Sequence, residues 1–235
     1  MQLAEVAHAR RTPGVVVLEG FHAIKHAVRF GAEILGAWTA EPEALEELRQ
    51  RLAADVHFSV KLVDAEALKA VVPRGQVVAV ARRPSQPDPD TILAGPGRVV
   101  LLEDPRHLGN LGAAVRVAAA AGAAAVMTTG RQNPWHPDAL RGGAGRHFAL
   151  PVHHLRAVRT GGRELVALDP EGEPFHPVDF PSAAILAFGA ERTGLSDELL
   201  SMADRRLALP MTPGVSSLNL ATAVAATLYA LRLAG

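Results

Sequence analysis

Three loops in the second half of this 235-residue chain carry side chains that could do chemistry. The first runs Glu103-Asp104-Pro105-Arg106-His107-Leu108-Gly109-Asn110-Leu111-Gly112 and opens a helical pattern that includes Arg116. Ligands of open parallel sheets bind beyond the carboxyl ends of strands, which is where this loop falls. Asn110 can cap the helix, and Arg116 can be a plain surface cation. The second is Phe188-Gly189-Ala190-Glu191-Arg192-Thr193-Gly194-Leu195-Ser196. Gly189 lets backbone approach a ligand. Glu191 either fixes loop amides or forms a solvated pair with Arg192. Ser196 reads as an N-cap, with Asp197 and Glu198 in the first turn. The third is Leu209-Pro210-Met211-Thr212-Pro213-Gly214-Val215-Ser216-Ser217-Leu218-Asn219. Core packing does not ask for bending residues followed by small polar ones. Such a loop suits a ligand held against backbone at a helix start. A strand-to-helix turn with a Ser cap satisfies it as well. A lesser stretch, Arg141-Gly142-Gly143-Ala144-Gly145-Arg146-His147, can cradle a phosphate or be a flexible loop.

Several chemistries are disfavoured. There are no cysteines, so thiol catalysis and Cys-based metal sites are excluded. No G-x-G-x-x-G, P-loop or G-x-S-x-G occurs. Gly109 to Gly112 fits the GXXG of KH domains, but in the wrong surroundings. His22 and His26 have metal-ligand spacing on a helix, without a third ligand or an H-E-x-x-H pattern, so no metal is expected. Trp38, Trp135 and Tyr229 are too scattered for a base-stacking platform.

The elements that must position these loops alternate. Strands are expected at 15–18, 34–39, 56–60 and 77–81, with helices at 20–30, 42–53 and 65–71. A turn-rich stretch, 84–97, then acts as linker. Beyond it, strands at 98–103, 124–128, 147–152, 164–168, 183–188 and 206–209 alternate with helices at 111–121, 197–202 and 218–233. That is an α/β chain whose second half is a mostly parallel sheet covered on both faces. Residues 1–83 form a small α/β domain and 98–235 the larger one. No apolar run approaches the ~20 residues that span a bilayer, and the N-terminus is not a signal peptide, so the cytoplasm is the default. Net charge is zero, which weakens a nucleic-acid reading without removing it. The cations are nearly all Arg, which suits phosphate contacts and equally a GC-rich genome.

Taken in order, the three loops resemble the signature motifs of the SpoU/TrmH family of RNA ribose 2′-O-methyltransferases, within the SPOUT class. Asn110 to Arg116 is similar to the first, Gly189-Ala190-Glu191 with Gly194-Leu195 to the second, and Pro210-Met211, Gly214-Val215 and Ser217-Leu218-Asn219 to the third. Residues 140–152 resemble the family's intervening segment. Leu18-Glu19-Gly20 and Val77 to Val80 resemble its ribosomal-protein-like substrate-binding domain. The resemblance implies a deep trefoil knot near the C-terminus whose loops hold S-adenosylmethionine. Gly189, Leu209 and Leu218 would line the cofactor pocket, with Leu186 and Met211 nearby. Arg116 would activate the ribose hydroxyl, and Asn110, Glu191, Ser217 and Asn219 would organise the site. The implied partners are RNA, rRNA before tRNA, and a second copy in a homodimer, without membrane or metal. Arg192 departs from the pattern, since many relatives carry Gly there. Two other readings stand beside this one: a non-catalytic RNA-binding protein that kept the fold, and an unrelated nucleotide-binding α/β enzyme.

Overall fold

The computed structural model describes residues 1–73, 75–178 and 180–234. The elements to the end of the sequence-predicted linker are α1 (Val6–Ala9), β1 (Val15–Glu19), α2 (Phe21–Arg29), β2 (Ile34–Thr39), α3 (Pro42–Ala53), β3 (Lys61–Leu62), α4 (Ala65–Val71), β4 (Val77–Arg82) and α5 (Pro89–Ala94). Then follow β5 (Val99–Leu102), α6 (Leu108–Ala121), β6 (Ala125–Thr128), α7 (Pro137–Gly142), β7 (Val152–His154), β8 (Leu165–Pro174), β9 (Ile185–Phe188), α8 (Asp197–Met202), β10 (Arg205–Ala208) and α9 (Leu220–Ala234). The chain divides into two compact units.

The first unit comprises residues 1–85 and 135–149. Its sheet has the order β1-β4-β2-β3. β4 is antiparallel to both β1 and β2, while β2 and β3 are parallel. Val77 to Ala81 are fully buried, as the apolar run Val-Val-Ala-Val-Ala requires of a central strand. Val6, Val17, Trp38, Leu68, Val78 and Val80 form the core of one face. The strand expected at 56–60 is displaced: the ladder with β2 forms only at Lys61 and Leu62. Val56 is buried while His57 and Ser59 are exposed, so the segment shows strand-like alternation without pairing. Chain-order division assigns 135–149 to the second domain, but α7 packs on β1 and the following 3-10 turn, Arg146–Phe148, packs on α2.

The second unit comprises residues 86–134 and the chain from 150 onward. Its sheet has six parallel strands in the order β10-β8-β9-β5-β6-β7. Val99, Leu101, Ile185, Ala187, Met127 and Leu165 pack on one face with Ile92 and Leu93 of α5 and Leu199 of α8. By strand alternation Val100, Val126 and Leu186, also buried, point to the other face, toward α6 and α9. α5 lies inside the expected linker. Asp88 accepts from the Asp90 amide and Pro89 occupies the first turn, so the turn-rich composition is a helix start. Arg163 closes the other end, donating to the carbonyls of Leu93 (2.6 Å), Ile92 (2.8 Å) and Gly97 (2.6 Å). The 147–152 strand is also corrected. Arg146–Phe148 is a 3-10 turn and β7 starts at Val152.

Among the described residues, no helix is long and apolar enough to cross a membrane. No group of three or more His, Asp or Glu among them is arranged to hold a metal.

Candidate active site

Three loops of the second unit leave the carboxyl ends of β5, β9 and β10. The side chains that tie them together start from Glu191. Its Oε2 accepts from the Arg106 amide at 2.9 Å, and its Oε1 from the His107 amide at 3.3 Å and from Asn110 Nδ2 at 2.9 Å. Asn110 Oδ1 in turn accepts from Asn219 Nδ2 at 3.0 Å. Asn219 Oδ1 accepts from the amides of Ala221 (3.0 Å) and Thr222 (3.4 Å), which caps α9. One line of hydrogen bonds thus runs from the second loop through the first to the third.

This corrects two local expectations. α6 begins at Leu108 with His107 in the cap position, so Asn110 is not its cap and its amide is available to Glu191. The cap of α9 is Asn219, which leaves Ser217 free of that task. Ser196 does cap α8, accepting from the Leu199 amide at 3.2 Å. Its Oγ also donates to Glu103 at 2.6 Å, fastening the second loop to the end of β5.

Burial of Glu191 raises its pKa, but the hydrogen bonds from Asn110 and the loop amides outweigh that, and the net direction is down. The group is an anchored carboxylate at neutral pH. Gly189 is required by packing. A Cβ there would fall 2.0 Å from the Gly194 carbonyl carbon and 2.2 Å from the Leu195 nitrogen. The loop closes on itself through Ala190 and Gly194, which exchange amide bonds at 3.1 and 2.9 Å. Gly194 takes a φ of +69°, where a side chain is strained.

A cavity of about 520 Å³ opens between the second and third loops. Gly189, Leu209, Met211, Ser217 and Leu218 line it, together with Leu195 and Leu200. Leu186 does not: it is fully buried in β9, paired with Val100 and Val166. Arg116 lies exposed on α6, outside the hydrogen-bonded line. A further part of the wall is Leu168-Asp169-Pro170-Glu171, which sequence reasoning missed. There β8 bulges: its register with β10 jumps from Ala167 to Glu173 between Arg206 and Leu207. Asp169 pairs with Arg206 at 3.3 Å across this bulge. The signal was present as Asp-Pro-Glu-Gly directly after the apolar run Leu165 to Leu168, because Pro is confined to edges and bulges of sheets.

Residues 97–229 match the SpoU rRNA Methylase family. The chain belongs to this family. It is 32% identical to an uncharacterised tRNA/rRNA methyltransferase of Synechocystis sp., over 95% of this chain and 85% of that one. It is 26% identical to the 23S rRNA (guanosine(2553)-2'-O)-methyltransferase RlmP of Bacillus subtilis, over 95% and 90%. Its fold is similar to that of the SpoU methyltransferase AviRb of Streptomyces viridochromogenes, solved in complex with AdoMet. That likeness has a TM-score of 0.79 at 25% identity, covering 98% of this chain and 95% of that one. As a SpoU family member the chain is an RNA methyltransferase dependent on S-adenosylmethionine. The cavity fits that cofactor. Its volume lies in the range of small-molecule sites, about 300–1,000 Å³. Leu195, Leu200, Leu209, Met211 and Leu218 offer apolar walls to a purine, and Gly189 brings backbone to the cavity surface without a side chain.

Proposed function

We propose that this enzyme methylates a ribose 2′-hydroxyl in structured RNA, rRNA in preference to tRNA, and that it acts in the cytoplasm as a homodimer. The observation that carries this reading is the hydrogen-bonded line Glu191–Asn110–Asn219, which starts from Glu191 in the cavity wall. It joins the three loops that resemble the family's motifs. Relatives named as 23S rRNA 2'-O-methyltransferases support the ribose and the rRNA.

The cofactor supplies a methyl carbon already activated by a positive sulfur. The protein must bring the hydroxyl in line and manage its proton. Gly189, Leu209, Met211 and Leu218 would hold the cofactor, and Asn110, Glu191, Ser217 and Asn219 would keep the loops in register. Leu186 supports the pocket from behind, within the sheet. A guanidinium stays protonated in proteins, so the fitting role of Arg116 is to stabilise the developing alkoxide and not to remove the proton. Its exposure, and that of Tyr229 and Leu233 on α9, suit a site completed by a second copy. On the resemblance we assign RNA binding to the first unit and a trefoil knot to the second and third loops.

The test is methyl transfer to unmodified rRNA. Arg116→Ala is expected to lose transfer by about 10²–10³-fold, the scale of one electrostatic group, while cofactor affinity survives. Transfer close to wild type in that variant would remove Arg116 from the site. Mapping 2′-O-methyl positions in RNA from cells lacking the gene identifies the target.

A further inference from the structure

Of the carboxylates that line the cavity among the described residues, Asp169 takes no part in the hydrogen bonds that join the three loops. Glu191 is engaged by loop amides and by Asn110, and Glu171 is largely exposed. Asp169 sits at the β8 bulge, and its side chain is only 12% exposed. It is fixed from two sides. Oδ1 accepts from the Glu171 amide at 2.8 Å, and Oδ2 faces Arg206 Nη2 at 3.3 Å. A carboxylate offers about four acceptor sites, so each oxygen keeps room for a further donor.

The backbone holds this placement. The pairing of β8 with β10 passes from Ala167 to Glu173 across the adjacent residues Arg206 and Leu207, so residues 168–172 are looped out of that ladder. A Cβ at Gly172 would fall 2.5 Å from the Arg206 carbonyl carbon and 2.5 Å from the Leu207 nitrogen, so the return of the chain to β10 demands glycine. Bulges beside active sites re-aim side chains, and this one presents Asp169 to the cavity. Arg206, the partner of Asp169, lines the cavity together with Leu209 of the apolar wall, close by on the same segment.

Charge decides which part of S-adenosylmethionine suits this carboxylate. The donors of the cofactor are the adenine amino group, the ribose hydroxyls and the ammonium of the amino-acid tail. An ammonium at Asp169 would lie beside the Arg206 guanidinium, and like charges at short range repel. Neutral hydroxyls carry no such cost, and the ribose is bonded directly to the purine that the apolar wall suits. A carboxylate holds the ribose of NAD in dinucleotide-binding folds by the same chemistry. We propose, taking the cavity as the cofactor site, that Asp169 binds the ribose of S-adenosylmethionine by accepting from its hydroxyls, with Arg206 holding the carboxylate in place.

The experiment is calorimetric binding to the full chain of S-adenosylhomocysteine, of its 2′-deoxy and 3′-deoxy forms, and of 5′-methylthioadenosine, which lacks the amino-acid tail. Wild type is expected to bind at least one deoxy form about tenfold to a hundredfold more weakly than the parent, the scale of a hydrogen bond to a charged group. In Asp169→Asn, which keeps an oxygen for the Glu171 amide, that difference is expected to shrink to about threefold or less at unchanged melting temperature. S-adenosylhomocysteine and 5′-methylthioadenosine should lose affinity by the same factor. Leu218→Asp, in an exposed part of the apolar wall, should weaken every one of these ligands and so mark the cavity as their site. Deoxy forms that bind wild type as tightly as the parent overturn the proposal, whether or not the variant folds. A folded Asp169→Asn that keeps the full difference overturns it too. So does one that loses affinity for S-adenosylhomocysteine alone, which makes the ammonium the partner. Either result with binding weakened by Leu218→Asp leaves the cavity as the cofactor site, whereas binding unaltered by Leu218→Asp overturns that site and the role of Asp169 with it.

Discussion

Glu191 shows how one side chain can carry a loop. Each of its oxygens accepts at least one hydrogen bond, two of the three from backbone amides of the first loop. Glu191→Gln puts an NH₂ against one of those donors. The expected cost is about 1–3 kcal/mol, read by thermal melting, with weaker cofactor binding because the second loop loses its anchor. The pH dependence has a defined sign. The folded pKa lies below the ordinary glutamate value of 4.5. The stabilisation is therefore complete above about 4.5 and disappears as pH falls through the lower folded value. The variant should flatten that acid limb, and a limb identical to wild type would show that the carboxylate is not the anchor. Asn110, Glu191 and Asn219 were legible as polar residues at loop ends, but their partnership was not. The bonded pairs are 81 and 109 residues apart, and no local pattern specifies which distant side chain receives a donor. Leu186 shows the converse. The resemblance placed it near the cofactor pocket, whereas it is fully buried in β9 and does not line the cavity.

At the scale of elements, the apolar runs announced the buried strands and the Ala-rich periodicity announced α6 and α9. Turn-rich stretches were harder to read, because Pro and Gly mark helix starts and bulges as readily as linkers. α5 and α7 both begin with Pro at the first turn, and both lay in segments read as loop. The β8 bulge was hidden in the same way, as a turn signal within a strand. α5 supplies a test of what holds such a short helix. Arg163 is desolvated, which lowers its pKa, yet its guanidinium collects carbonyls from Ile92 to Gly97. Arg163→Ala leaves those acceptors without their donor. The predicted loss is about 2–3 kcal/mol in chemical denaturation. Arg163→Lys should restore only part of it, since an ammonium cannot span the same fork of acceptors. Full stability in Arg163→Ala would assign α5 to its apolar contacts alone.

At the scale of the molecule, the two units arise from a chain that visits the first, leaves for the second, and returns at Trp135 before finishing. Composition shifts along the chain could suggest a break near residue 85 but not a return, because residues 135–149 belong to the first unit by packing. The first unit carries an acid sensitivity of its own. His26 has a folded value of about 4 against 6.5 for a free ring. Between those values the unfolded chain binds the proton and the folded one does not, so stability falls as pH is lowered from about 6.5 to 4. After allowance for solvent screening of a half-buried ring, the loss should be about 1–2 kcal/mol. Urea denaturation at pH 7 and pH 5 checks it, and His26→Gln should abolish the difference arising from this residue.

The sheet order β10-β8-β9-β5-β6-β7 has a consequence in time. β5 sits between β9 and β6, so the strand that carries the first loop gains one neighbour early and the other only after more than eighty residues of chain have been made. Closing such distances is slow, because chain entropy is lost before the contacts form. On the ribosome, β5 and β6 can pair long before Glu191 emerges, and α9 is the last element to arrive. The pocket therefore matures last, after most of the sheet exists. Refolding followed by tryptophan fluorescence, from Trp38 and Trp135 in the first unit, should finish well before cofactor-binding capacity returns. Recovery of both at one rate would mean that the two units fold as one.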